Sequence, residues 1–136
     1  MNQISEEVAA EQIEAFKKYY EIDIDDLTDN LKPVMVSSFQ KLKRAIMSGR
    51  LEIEITEETI LVKQHLKREV EGLPNPIVYK EVSGRAKMGI KDDSTDYGKM
   101  YGFLGALCGE GPALIQKLTG PDISLAESLG VVFLQI

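Results

Sequence analysis

Asp23, Asp25, Asp26 and Asp29 form the densest set of hard oxygen ligands in the chain, and they raise calcium first. A helix–loop–helix calcium site starting at Asp23 needs glycine at its sixth place and a bidentate glutamate at its twelfth. Those places hold Thr28 and Val34, so the cluster reads as a solvated loop between helices. His65 is the only histidine, and a metal site or a Ser–His–acid triad would depend on it alone. It reads as a half-exposed structural side chain on the face of Leu61 and Lys63. Cys108 is the only cysteine, which excludes an internal disulfide, a thiolate zinc site and a CxxC redox pair. With no basic neighbour in sequence, it reads as a small core residue.

Two further groups invite chemistry. Asp92, Asp93 and Asp96 stand beside Tyr97 and Lys99, yet acids at a helix start serve the macrodipole, and nothing else in the sequence converges on them. Gly98, Gly102, Gly105, Gly109 and Gly111 are dense enough to suggest a phosphate loop. No GxxxxGK[ST] or strand-preceded GxGxxG runs through them, and their spacing is that of one helix face approached closely by another element. The basic set Lys41, Lys43, Arg44 and Arg50 lacks interleaved aromatics and reads as a solvated helix end. No catalytic, cofactor-binding or metal-ligating residue is assigned, and a non-enzyme is expected.

The elements around these residues follow from periodicity. Ala9, Ile13, Phe16 and Tyr20 recur at i, i+4, i+7 and i+11, predicting an amphipathic helix over 5–21. Leu31, Met35, Phe39, Leu42 and Ile46 predict a second helix, with Pro33 in its first turn and Gly49 as its stop. From Arg50 the period changes to two. Leu51, Ile53 and Ile55, then "TILVKQHL", predict a hairpin turning at Glu57 and Glu58, with Ile55 opposite Ile60, Ile53 opposite Val62 and Glu52 opposite Lys63. "LPNP" punctuates, "IVYKEV" predicts a third strand, and "SGRAKMGIKDDS" a polar connector. Ser94 is placed to cap a helix reaching Cys108, and Pro112 to open a short one. Ser124 with Glu127 forms a capping box before the last apolar run.

The expected fold is therefore one α+β domain over 1–136: helical over 1–50, a small antiparallel sheet over 51–83, and a helical group over 94–136. With 43% hydrophobic and 28% charged residues the chain falls outside the disordered class, and a net charge of −6 argues against a nucleic-acid partner. No stretch reaches the roughly 20 apolar residues of a membrane helix, and no leader pattern opens the chain. A cytoplasmic, unprocessed protein is expected.

"SLAESLGVVFLQI" poses the remaining question, because the chain ends on an apolar run. Leu125, Leu129, Val132 and Phe133 form one stripe, and Val131, Leu134 and Ile136 widen it. Such a helix either docks into its own core or covers another chain. The width favours partial use as an interface, so Leu125, Leu129, Val132, Phe133 and Ile136 are the expected interaction surface.

The segment "YGFLGALCGEGPALIQKLTGPDISLAESLGVVFLQI" resembles the C-terminal pattern of the small tail assembly chaperones of long-tailed phages and prophages. Leu118, Thr119, Gly120, Asp122, Ser124 and Leu125 carry the resemblance, and Pro121 departs from it where that family often has an apolar residue. The resemblance implies a non-enzymatic protein that coats a long helical tape-measure protein during assembly, some copies being extended by a programmed frameshift. A homo-oligomer is expected as well. The alternatives are a homo-oligomeric structural or adaptor domain, or a small ligand-binding domain or enzyme with a pocket at Asp96, Tyr97 and Tyr101.

Overall fold

The computed structural model describes residues 4–88 and 96–136. Ser5 starts helix α1 (Glu6–Tyr19) by accepting the Val8 N–H on its hydroxyl, a cap worth about 1 kcal/mol. Ala9, Ile13 and Phe16 face inward, and Tyr20, just past the helix, accepts the Val82 N–H on its hydroxyl. A 3-10 turn (Ile24–Asp26) leads to α2 (Leu31–Met47), which buries Met35, Phe39, Leu42 and Ile46 as its spacing predicts. Gly49 at φ 77° takes the left-handed conformation that closes α2 and turns the chain into the sheet.

Strands β1 (Leu51–Ile55), β2 (Ile60–Gln64) and β3 (Ile77–Tyr79) form an antiparallel sheet in the order β1-β2-β3. The hairpin register is the expected one, with Ile55 opposite Ile60, Ile53 opposite Val62 and Glu52 opposite Lys63. The polar side-chain contacts, however, run diagonally. Lys63 reaches Glu54 at 2.7 Å, and the Glu52 carboxylate reaches His65 at 2.6 Å. The third strand is shorter than "IVYKEV", because Lys80 leaves the ladder to donate its N–H to the Leu107 carbonyl.

The expected polar connector contains a turn of helix, α3 (Gly84–Lys87), with the Ser83 hydroxyl accepting the Ala86 N–H. Then follow α4 (Asp96–Leu107), α5 (Pro112–Gln116) and α6 (Gly120–Phe133). Ser94, the expected cap of α4, lies outside the described residues. Among the described residues no helix is long and apolar enough to cross a membrane.

The start of α6 corrects the capping-box reading. The helix begins four residues before Ser124, with Thr119 at the N-cap and Pro121 in the first turn, where its missing N–H costs nothing. Ser124 is an exposed side chain inside the helix, and Glu127 accepts the Tyr101 hydroxyl at 3.0 Å.

The expected interaction surface is corrected too. Leu125, Leu129, Val132 and Phe133 are buried at 4%, 1%, 0% and 0% exposure, and only Ile136 of the five is partly exposed. Phe133 sits at the centre of the core, its ring 6.1 Å from Phe16 of α1 and 6.2 Å from Tyr79 of β3. The apolar run is broad because α6 is enclosed on several sides, by α2, α4 and α5.

Gly130 and Gly105 permit that enclosure. A Cβ on Gly130 would stand 2.6 Å from the Met100 side chain of α4, and one on Gly105 would stand 2.6 Å from the Gly111 carbonyl. The glycine face of α4 thus admits the chain entering α5, as its spacing suggests at Gly105.

Candidate functional site

The residues singled out for chemistry lie apart. Asp23 uses its carboxylate locally, accepting the Asp25 N–H at 2.9 Å, and Asp23, Asp25, Asp26 and Asp29 are all exposed. Among the described residues no three His, Cys, Asp or Glu side chains are grouped to hold a metal ion. The Cys108 thiol donates to the Gly105 carbonyl, and burial pushes its pKa up, away from the reactive thiolate. Asp92 and Asp93 lie outside the described residues. Asp96 is the first residue of α4, and Tyr97 is exposed with its ring 6.1 Å from Tyr101. Tyr101 is engaged with Glu127. Burial first, and then that carboxylate, push its phenol up.

A continuous surface feature lies elsewhere, between α2 and α6. The two helices run antiparallel, so Pro33 and Val34 lie across from Val131, while Ala45 and Ser48 lie across from Pro121 and Leu125. On α2 the lining residues Val34, Ser37, Ser38, Lys41, Arg44, Ala45 and Ser48 follow one helical stripe. Pro121, Ser124, Leu125, Glu127, Ser128 and Val131 form the matching stripe on α6. Because most of these side chains are small, the seam sinks into a trough instead of closing. Ser38, Ala45 and Ser128 are buried in its floor. The hydroxyls of Ser48 and Ser128 fold back onto the Ala45 and Ser124 carbonyls.

The trough consists of two adjoining cavities of about 430 Å³ each, which share Lys41, Ser124 and Ser128. Val34 to Ser48 along α2 covers about 20 Å, or about four turns of helix. It is open to solvent along one side, which suits a rod-shaped occupant better than a small molecule that must be largely enclosed.

Its two ends differ in character. The end at the start of α2 is walled by Pro33, Val34 and Val131, with Val34 47% exposed, and by Glu127. The other end gathers Arg44 and Arg50 beside the shared Lys41, and among the described residues no acidic side chain lines it. Among the described residues none of these three cations has an ion-pair partner, whereas Lys43, on the neighbouring face of α2, binds Glu6 at 2.9 Å. Arg50 is held in place by donating Nη2–H to the Pro121 carbonyl at 3.0 Å, while its buried Nε–H finds no acceptor among the described residues. The basic set read as a solvated helix end therefore divides: Lys43 is neutralised, and the other three line one cavity.

No protein-family model, curated protein or solved structure matches the chain.

Proposed function

We propose that the protein is a non-enzymatic assembly factor that holds an amphipathic helix of a partner protein in the trough between α2 and α6. The observation that carries this reading is the trough itself, about four turns long, floored by small residues and open on one side. Laying a helix into a groove is a recurring mode of peptide recognition, in which the groove supplies apolar contacts and polar groups fix the register. The C-terminal resemblance to phage tail assembly chaperones fits this mode, since their role is to cover a long helical protein during assembly. The apolar stripe of α6 serves the core in this reading, and the covering surface is the outer rim of α6 with α2. A cytoplasmic setting belongs to the same reading and is supported by a lone cysteine kept as a half-buried free thiol.

The test is photo-crosslinking in the native cell from a reactive amino acid placed at Val34, followed by mass spectrometry of the adducts. An adduct to a long helical protein, lost when Ser37→Trp fills the trough, supports the reading. An adduct between copies of the chain overturns it in favour of a self-assembling adaptor.

A further inference from the structure

The asymmetry of the trough specifies the chemistry of what it holds. We infer that the cavity at Lys41, Arg44 and Arg50 receives carboxylates of the partner helix, so that the docked segment is acidic at one end and apolar at the other. The inference rests on the trough reading and adds the partner's charge pattern and its direction of docking.

Three observations carry it. First, the chain has a net charge of −6, yet among the described residues this cavity is lined by three cations and no acid. A patch opposite in sign to the molecule around it selects an anionic partner by complementarity and disfavours apolar or basic ones. Second, Arg50 is fixed between the start of β1 and the start of α6 by its bond to Pro121. A guanidinium held in one orientation loses little freedom when its remaining N–H groups donate to a carboxylate. Third, the opposite end offers Pro33, Val34 and Val131 together with the carboxylate of Glu127, which repels acids there; its one cation among the described residues, Lys41, stands at the junction of the two cavities. A helix with apolar residues at that end and acids beside Pro121 satisfies both ends at once, and the reverse orientation satisfies neither. A polyphosphate chain meets the same cations, but the acidic remainder of the surface repels it beyond the cavity.

The experiment measures binding by fluorescence polarisation to leucine-striped helical peptides, made in both polarities. One series carries glutamates in a terminal turn, one has glutamine in the same places and one has lysine. The glutamate peptides are expected to bind about tenfold more tightly than the glutamine peptides, an advantage that shrinks with added salt. Lys41 and Arg44 are exposed, so the double variant Lys41→Glu/Arg44→Glu keeps the fold, and it is expected to prefer the lysine peptides. Equal binding of the glutamate and glutamine peptides, both abolished by Ser37→Trp, overturns the inference and leaves the trough reading standing. No binding of any peptide overturns the trough reading, and the inference with it. Displacement of the glutamate peptide by millimolar inorganic phosphate but not by added chloride overturns it in favour of a small-anion site.

Discussion

Gln64 and Asp122 are joined by a buried hydrogen bond: the Gln64 Nε2–H donates to the Asp122 carbonyl at 2.8 Å. Each residue also serves a second partner. Gln64 Oε1 accepts the Tyr79 hydroxyl at 2.8 Å, and the Asp122 carboxylate accepts the Lys67 and Arg68 N–H groups at 2.8 and 2.9 Å. This chain of bonds links β3, β2 and the loop beyond it to the first turn of α6, and so fixes where α6 begins and where one wall of the trough stands.

Replacing Asp122 by alanine leaves two backbone donors without their acceptor, at a site only 1% exposed. Asp122→Ala is expected to lose about 1–3 kcal/mol of stability, and Asp122→Asn, which keeps one acceptor, less. Urea denaturation checks the order. Equal stability of the alanine variant and the parent would show that the network contributes nothing to the fold.

Phe133→Ala removes a ring packed between α1 and the sheet and is expected to cost about 3–5 kcal/mol. Phe133→Asp is expected to unfold the chain at any protein concentration. Circular dichroism with sedimentation distinguishes this from an interface effect, which would leave a folded but dissociated protein.

Gly105 and Gly130 make close approaches of equal distance but unequal consequence. At Gly130 the obstacle is the flexible Met100 side chain, whereas at Gly105 it is the Gly111 backbone. Gly105→Ala is therefore expected to destabilise the protein by about 1–3 kcal/mol, and Gly130→Ala by less, as read by thermal melts of both.

Stability is expected to decline at high pH. The Tyr19 hydroxyl donates to Glu81, which pushes the phenol up to about 12, and burial pushes Tyr20 up as well. Above the ordinary phenol value of about 10 the unfolded chain releases the Tyr19 proton while the folded chain keeps it. The contribution of Tyr19 is thus fully present below about 10 and is lost as pH rises to about 12. Tyr19→Phe, which has no proton to lose, should show a shallower fall across that window in denaturation curves taken at stepped pH.

The legible parts of this fold are those whose periodicity comes from large apolar residues. Phe16, Phe39 and their helical neighbours announce α1 and α2, and alternating Leu51, Ile53 and Ile55 fix the hairpin register. The beginning of α6 was obscured because Ser124 and Glu127 have the spacing of a capping box, while the feature that sets the start, the buried Asp122 carboxylate, answers to a loop 54 and 55 positions away. The apolar breadth of α6 records enclosure, which one-dimensional spacing does not distinguish from an exposed docking face. The trough was harder still to see. Its two stripes consist mostly of serine and basic side chains, with a periodicity that apolar patterns do not register. The helical recurrence of Ser37, Ser38, Lys41, Ala45 and Ser48 was the available signal, and it acquires meaning only when α6 is laid beside it.

The diagonal pairing on the outer face of the hairpin has a consequence for crowding. Among the described residues β1 pairs only with β2, which leaves it at the margin of the sheet. Glu52 and Glu54 project there, held by His65 and Lys63. Another copy's β1 adding in register would bring carboxylates against carboxylates, so lateral sheet growth is opposed by charge. If the proposed reading holds and many copies gather along one helical partner, this edge keeps them from fusing into a fibril.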